Sequence, residues 1–299
     1  MRIGVIGLGN IGGHLAGNLA ADGHDVMVFD RDADARTAAE GRGATLASDA
    51  AGVAKSTEIT LLSLPTPEIV SQVASEWQIG AAAGSILIDT STNAPETVTA
   101  LGEQLEKQGC QLLEAPLTGG APGAKARMLV FMVGGDPAAF ERCRPVLDAL
   151  SRAVFYLGPL GTGNTAKLIN SLLAFTSTWV SLEGLAMASR RGVDLRTMVE
   201  VVRTAGAGNF FIDRMVEGIN ERGRPAQFAL ELAAKDARLI DELASGSEVP
   251  APVASQLRGI LEAAVAGGLG GCDWSDLVVH MEQAAGVTLH LPPAKPEDA

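Results

Sequence analysis

Lys167 stands in the segment Gly161-Thr162-Gly163-Asn164-Thr165-Ala166-Lys167-Leu168-Ile169-Asn170, behind paired glycines and at the head of a long apolar run that ends near Arg191. A free lysine titrates near about 10.4 and is a charged donor at neutral pH. Burial or a neighbouring cation brings a catalytic lysine to about 7–8. It can then accept the hydroxyl proton of an alcohol being oxidised, or return one to an alkoxide. Asn170, three residues on, shares its helix face and offers an amide that fixes a substrate or orients the ammonium. A solvated lysine in an opening helical turn is commonplace. A cation there nevertheless opposes the helix dipole, a cost easier to explain if the residue has a role.

A second constellation lies at the start of the chain. The β-branched stretch Arg2–Ile6 runs into Gly7-Leu8-Gly9-Asn10-Ile11-Gly12, then an apolar helix from Ile11 to about Ala21. A second strand, Asp25–Phe29, ends at Asp30, roughly 20 residues past the glycines. Glycine turns are common, so Gly-x-Gly-x-x-Gly alone is weak. Strand, glycines, helix, strand and acid together read as a dinucleotide-binding fingerprint, with phosphates against the helix N-terminus. Asp30 accepts hydrogen bonds from a ribose 2′-hydroxyl and repels a 2′-phosphate, which favours NAD. Arg31 directly follows and can hold that phosphate, which keeps NADP open.

The alternation continues through Glu58–Leu64, Thr66–Trp77, Ser85–Asp89, a helix from Pro95 to about Gln108, Gln111–Ala115, Met128–Val133, Asp136–Leu150 and Ala153–Leu157. Repeated strand–helix units predict a parallel sheet with helices on both faces. Ligands on such sheets bind beyond the carboxyl ends of the strands. Pro65, Thr92 and the turn Pro116-Leu117-Thr118-Gly119-Gly120 fall at those ends. The Thr118 hydroxyl and the Gly119 and Gly120 N–H groups can cradle a carboxylate. After Gly161 only helices are predicted, with the run Leu168–Val180 and Trp179 as core. The fold class is therefore α/β, a Rossmann-type doubly wound sheet followed by an all-α domain. Residues 1–160 form the dinucleotide-binding domain and 161–288 a helical substrate and dimerisation domain. Residues 289–299 form a disordered tail.

The 299 residues carry a formal charge of −12, which disfavours nucleic acid and anionic membrane surfaces as partners. A strand begins almost at once and no apolar run reaches the roughly 18–20 residues of a span, so the chain reads as cytoplasmic. Three cysteines without a Cys-x-x-Cys spacing and four scattered histidines predict neither a disulfide framework nor a metal site. His14 and His24 read as ordinary flanks of the first helix.

Four blocks, Gly7–Asn18, Asp89–Pro95, Glu114–Gly135 and Gly161–Asn170, with a fifth at Leu232–Asp236, resemble the β-hydroxyacid dehydrogenase family in order and spacing to about residue 255. That family includes 3-hydroxyisobutyrate dehydrogenase-like enzymes and has 6-phosphogluconate dehydrogenase as a larger relative. The resemblance implies hydride transfer between a nicotinamide and a short 3-hydroxy acid, or the matching semialdehyde in reverse. It gives Lys167 the place of the catalytic lysine, acting as general acid/base. Thr118, Gly119, Gly120 and Asn170 match substrate-binding positions; Leu64, Pro65, Thr92 and Lys235 match cofactor contacts.

Three departures bear on the substrate. Thr118 stands where serine is usual, Ser171 where a second amide is common, and Arg127-Met128 where Gly-Thr is frequent. Phe210, Phe211 and Arg214 are candidates to line the pocket. A competing reaction on the same scaffold is imine reduction, against which Lys167 speaks. A reading from another class is a non-catalytic dinucleotide sensor. The long helix after Gly161 suggests a homodimer or homotetramer.

Overall fold

The computed structural model describes residues 1–208 and 210–291, leaving out the side chains of Phe210, Phe211, Arg214 and Glu217. It divides into two compact units, Met1–Ile169 and Asn170–Ala299.

The first unit runs β1 (Arg2–Ile6), α1 (Gly12–Ala21), β2 (Asp25–Phe29), α2 (Ala33–Glu40), β3 (Thr45–Leu46), α3 (Ala50–Ser56), β4 (Ile59–Leu62), α4 (Pro67–Gly80) and β5 (Ile86–Asp89). It continues with α5 (Pro95–Glu106), β6 (Gln111–Glu114), β7 (Leu117–Thr118), α6 (Gly120–Ala126), β8 (Leu129–Gly135), α7 (Pro137–Ala149), β9 (Ser151–Gly158) and the start of α8 (Thr162–Arg190). The sheet order is β3-β2-β1-β4-β5-β6-β8-β7, with β9 on β8. Successive residues of one strand feed opposite cores, as the pleat requires. Leu61 packs with Ile3, Leu15 and Ile86 on one face. Leu62 packs with Val53, Val70 and Trp77 on the other. Helices on both faces leave the central strands β4 and β5 buried from end to end.

The all-parallel expectation holds for β1 to β6 and fails beyond it. β8 is antiparallel to β6 (Leu113 opposite Gly135) and to β7 (Leu117 opposite Phe131), while β9 is parallel to β8. The reason is covalent. Only Ala115-Pro116 separates β6 from β7, too short for a crossover, so both run along one edge of β8 in a single register. The turn expected over 116–120 therefore contains strand at Leu117–Thr118.

The elements between Asp30 and Glu58 had no assignment in the sequence reading. They form because Asp32 caps α2 through the Asp34 and Ala35 N–H groups and Asp49 caps α3 through Gly52 N–H.

The second unit holds the rest of α8, then α9 (Leu195–Thr204), α10 (Phe210–Ile219), α11 (Leu230–Gly246), α12 (Pro252–Ala264) and α13 (Leu277–Ala285). A π-helical turn over Val265–Leu269 and a 3₁₀ turn over Trp274–Asp276 precede α13. Asp273 ties this region together. Its carboxylate, 2% exposed, accepts from Arg224, Gln227 N–H and Ser275. Phe175 packs on Trp274 with ring centroids 4.8 Å apart.

By contacts the chain divides inside α8, at Ile169/Asn170, where the first turns of that helix pack on the sheet unit. Two expectations need correction. The run after Leu168 is core on one side only. Leu168, Phe175 and Leu182 are buried, whereas Ile169, Leu173, Val180 and Met187 are exposed, and Trp179 is half-buried against His280. The described part of the expected disordered tail is packed, with Leu289 and Leu291 buried and Asn220 Nδ2 donating to the Leu291 carbonyl at 2.8 Å. Residues 292–299 of that tail lie outside the described residues.

Candidate active site

The glycines of the β1–α1 turn have three different surroundings. Gly7 has φ +88°, and a Cβ there would overlap the Ser63 carbonyl. A Cβ on Gly12 would overlap the carbonyl of Gly7, so this glycine is what lets helix and turn close on each other. Around Gly9 a Cβ would meet nothing within 4 Å. The turn is thus packed at its two ends and open in the middle, where a phosphate group would approach the backbone. Asn10 and Ile11 lead into α1, which no side chain caps. Its N-terminus, with N–H groups that no side chain caps, suits an anion.

Asp30 closes β2 beside this turn. Its carboxylate accepts from Leu8 N–H at 2.6 Å and from Asp32 N–H at 2.8 Å. Arg31 is exposed, 4.0 Å from Glu76. Leu64 and Pro65 follow β4, and Leu64 N–H donates to Ser91 Oγ at 3.0 Å, which ties that loop to the one carrying Thr92. Thr118 ends β7, and Gly119 and Gly120 follow with φ of +122° and +60°. All these residues, and Lys167, belong to the first unit, and the loops after β1, β4 and β5 lie at the carboxyl ends of their strands. Apart from Asn170 and Lys235, the residues expected to meet dinucleotide and substrate therefore all lie on the sheet unit.

The start of α8 is fastened by groups the sequence reading gave no role. Glu114, the last residue of β6, is fully buried. It accepts from Gly163 N–H at 2.9 Å, Asn164 N–H at 3.0 Å and Asn164 Nδ2 at 2.5 Å. Asn164 Oδ1 accepts from Asn93 N–H at 2.8 Å, and Asn93 Nδ2 donates to Asp89 Oδ2 at 2.6 Å. A buried chain of carboxylate, amide, amide and carboxylate thus joins the ends of β5 and β6 to the helix that bears Lys167. Asn93 Oδ1 is buried in this network and meets no hydrogen-bond partner among the described residues. Burial pushes the Glu114 carboxyl above the usual carboxylate range, while hydrogen bonds from Asn164, Gly163 and Gly161 pull the other way. A sequence signal existed in the charged residue directly after the buried pair Leu112-Leu113. Its partner, 49 to 50 positions away, was not readable.

Lys167 is half-buried and Asn170 exposed. Asn170 and Lys235 fall in the second unit and are not part of the cluster just described. Lys235 is a buried residue of α11, 3.0 Å from Asp236, rather than a surface lysine. The side chains of Phe210, Phe211 and Arg214 lie outside the described residues. A cleft of about 700 Å³ lies between α5 and the opposite face of α8, lined by Glu96, Thr99, Glu103, Thr162, Thr165 and Ile169. It contains none of the residues expected to meet dinucleotide or substrate. Among the thiols, burial pushes Cys143 up to about 12, so it is no nucleophile.

Comparison with known proteins matches both parts of this architecture. Residues 2–158 match the NAD binding domain of 6-phosphogluconate dehydrogenase, and residues 161–281 match the NAD-binding region of NADP-dependent 3-hydroxyisobutyrate dehydrogenase. The mitochondrial 3-hydroxyisobutyrate dehydrogenase of Drosophila melanogaster is 30% identical over 92% of this chain and 87% of its own. The chain belongs to the β-hydroxyacid dehydrogenase family. The 2-(hydroxymethyl)glutarate dehydrogenase of Eubacterium barkeri is also 30% identical, over 97% of each chain. Among solved structures, Mycobacterium tuberculosis 3-hydroxyisobutyrate dehydrogenase with L-serine superposes with a TM-score of 0.85 at 26% identity. That match covers 93% of this chain and 98% of the other. This β-hydroxyacid dehydrogenase is an oxidoreductase that uses NAD or NADP and acts on small hydroxy acids.

Proposed function

We propose that Lys167 is the general acid/base of a reversible oxidation of a 3-hydroxy carboxylate, with Thr118, Gly119 and Gly120 holding the carboxylate. The observation that carries this reading is the fastening of α8 to the ends of β5 and β6. It fixes Lys167 on the unit that also bears the glycine turn and Thr118. On oxidation, Lys167 Nζ takes the hydroxyl proton while hydride leaves the same carbon. In reverse, Lys167 returns the proton to the carbonyl oxygen. The nicotinamide, when bound, accepts or supplies the hydride. Asn170, one turn along the same helix, hydrogen-bonds the substrate or the ammonium.

The relatives' substrate names share one chemistry, a hydroxymethyl group on the carbon next to a carboxylate. We carry that class over to this chain. Leu8, Gly9, Asn10, Ile11 and Gly12 receive the pyrophosphate, Leu64, Pro65 and Thr92 line the nicotinamide half, and Lys235 is carried as a cofactor-binding residue by its place in the motif Leu232–Asp236. Asp30 beside the turn, with Arg31 turned towards Glu76, supports NAD over NADP.

The exposed apolar stripe of Ile169, Leu173, Val180 and Met187 along α8 supports a homo-oligomer built on that helix. No helix among the described residues is long and apolar enough to cross a membrane. The three free thiols fit a reducing compartment, and the cytoplasm is our reading.

The test is absorbance at the reduced-nicotinamide band, with NAD⁺ and NADP⁺ separately, against 3-hydroxyisobutyrate, serine, glycerate, 3-hydroxypropionate and threonate. Turnover that vanishes in Lys167→Ala with cofactor affinity retained supports the assignment. Undiminished turnover in that variant sinks it. Silence across the panel would redirect the reading to an imine substrate or a sensor.

A further inference from the structure

We propose that Glu114 is a positioning residue for Lys167, fixing the first turn of α8 and, through its charge, setting the pH at which the lysine exchanges its proton. The inference rests on the reading of Lys167 as acid/base and adds to it a residue and a regulation.

Three observations carry it. First, the site is built for a carboxylate. Glu114 caps a helix that starts 48 residues later, and every partner it has there is a donor, as an anion requires. Second, the neighbours have been pared away to admit it. A Cβ on Gly134 would overlap Glu114 Oε1, and one on Gly163 would sit 3.1 Å from Glu114 Cγ and Cδ and 2.5 Å from the Met132 carbonyl. Two glycines therefore let strand, carboxylate and helix come together. Third, the arrangement is poor as a purely structural device. A fully buried carboxylate is costly to hold ionised, and the network it heads leaves the buried Asn93 Oδ1 with no hydrogen-bond partner among the described residues. An apolar contact would join strand and helix with less strain on stability.

What a carboxylate adds is charge at the right end of this helix. Lys167 lies three residues beyond Asn164, about 4.5 Å along the axis, near the end where the helix dipole disfavours an ammonium. An anion under the first turn opposes that effect and holds the proton on the lysine. Charged groups around the first turns of α8 include, among the described residues, Asp89, in register beside Glu114 on β5, and Glu96 and Glu103 on α5, across the helix. All stay in place when Glu114 alone is changed. At roughly 10 Å and an effective dielectric of about 20–40, loss of one charge lowers the lysine pKa by about half to one unit.

The experiment compares the full-length parent, Glu114→Gln, Asn164→Ala and Lys167→Ala. Read out are kcat/KM for oxidation against pH, affinity for the reduced cofactor by fluorescence, and the thermal midpoint. In Glu114→Gln the amide also presents donors to donors, so kcat falls roughly tenfold or more. Its ascending limb moves to lower pH by about half to one unit, while cofactor affinity stays within about threefold. Asn164→Ala loosens the helix but keeps the charge, so it lowers kcat with the limb unmoved. A limb that stays in place in Glu114→Gln, or a fall in kcat matched by equal loss of stability and cofactor binding, overturns the proposal in favour of a structural role. Should Glu114→Gln not fold, parental kcat in Asn164→Ala overturns it. Turnover surviving in Lys167→Ala is a different failure, that of the acid/base reading itself.

Discussion

Gly163→Ala offers a test in which local propensity and tertiary packing have opposite signs. Alanine is better than glycine inside a helix by about 1 kcal/mol, so propensity alone expects a more stable protein. The added Cβ would sit 2.5 Å from the Met132 carbonyl oxygen and 3.1 Å from Glu114. Ordinary contact between such atoms is about 3.5 Å, so the first turn of α8 must retreat by roughly 0.7–1 Å. The Gly163 and Asn164 N–H bonds to Glu114, now 2.9 and 3.0 Å, then stretch past the hydrogen-bonding range. Bonds to a charged acceptor contribute about 1.5–3 kcal/mol each. Losing both and gaining the propensity leaves a net destabilisation of about 2–5 kcal/mol. That corresponds to roughly 6–15 °C for a unit of this size. A displacement near 1 Å at the reacting group also costs on the order of a hundredfold in kcat. Gly184 is the internal control. It lies in the same helix with nothing within 4 Å of its would-be Cβ, so Gly184→Ala gains about 0.5–1 kcal/mol. Differential scanning calorimetry of the three proteins decides. A Gly163→Ala midpoint at or above the parent's refutes the close-approach reasoning.

Gly9→Ala separates folding from binding, because its Cβ has open space. The midpoint stays within about 1 °C while affinity for the reduced cofactor, read by fluorescence titration, falls at least roughly tenfold. Arg127 is left-handed at φ 59° and pairs with Asp22 at 2.5 and 2.9 Å. Arg127→Gly loses a surface ion pair of about 0.5–1 kcal/mol but sheds about 1 kcal/mol of strain. Urea unfolding should find it near parental, with Arg127→Ala, which keeps the strain and loses the pair, weaker than the parent by about 0.5–1 kcal/mol. Burial raises Asp273, but Ser275, Gln227 N–H and Arg224 outweigh it and hold the carboxyl below its usual range. A depressed carboxyl contributes stability above its unfolded pKa and loses it as pH falls through the folded one. Parental stability should therefore fall below about pH 4 more steeply than that of Asp273→Asn, which starts lower at pH 7. Parallel profiles would dismiss the assignment.

The chain's local chemistry determined much by itself. Gly7, Gly9, Gly12 and Asp30 mark a turn of the dinucleotide-binding kind because backbone freedom and helix ends are local properties. The long helices are legible because apolar spacing repeats within each one, and the run of parallel strands to β6 follows from strand–helix alternation. What sequence spacing does not carry is contact between distant segments. The reversal at β8 depends on which edge two short strands find. The exposed side of α8 depends on which of its faces the fold covers. The clearest case is Glu114. As a residue it is one acid after two leucines, and it gains meaning only when β6 lies under a helix that begins 48 positions later. Burial and the donors it meets there are tertiary facts, and those same facts fix where Lys167 stands.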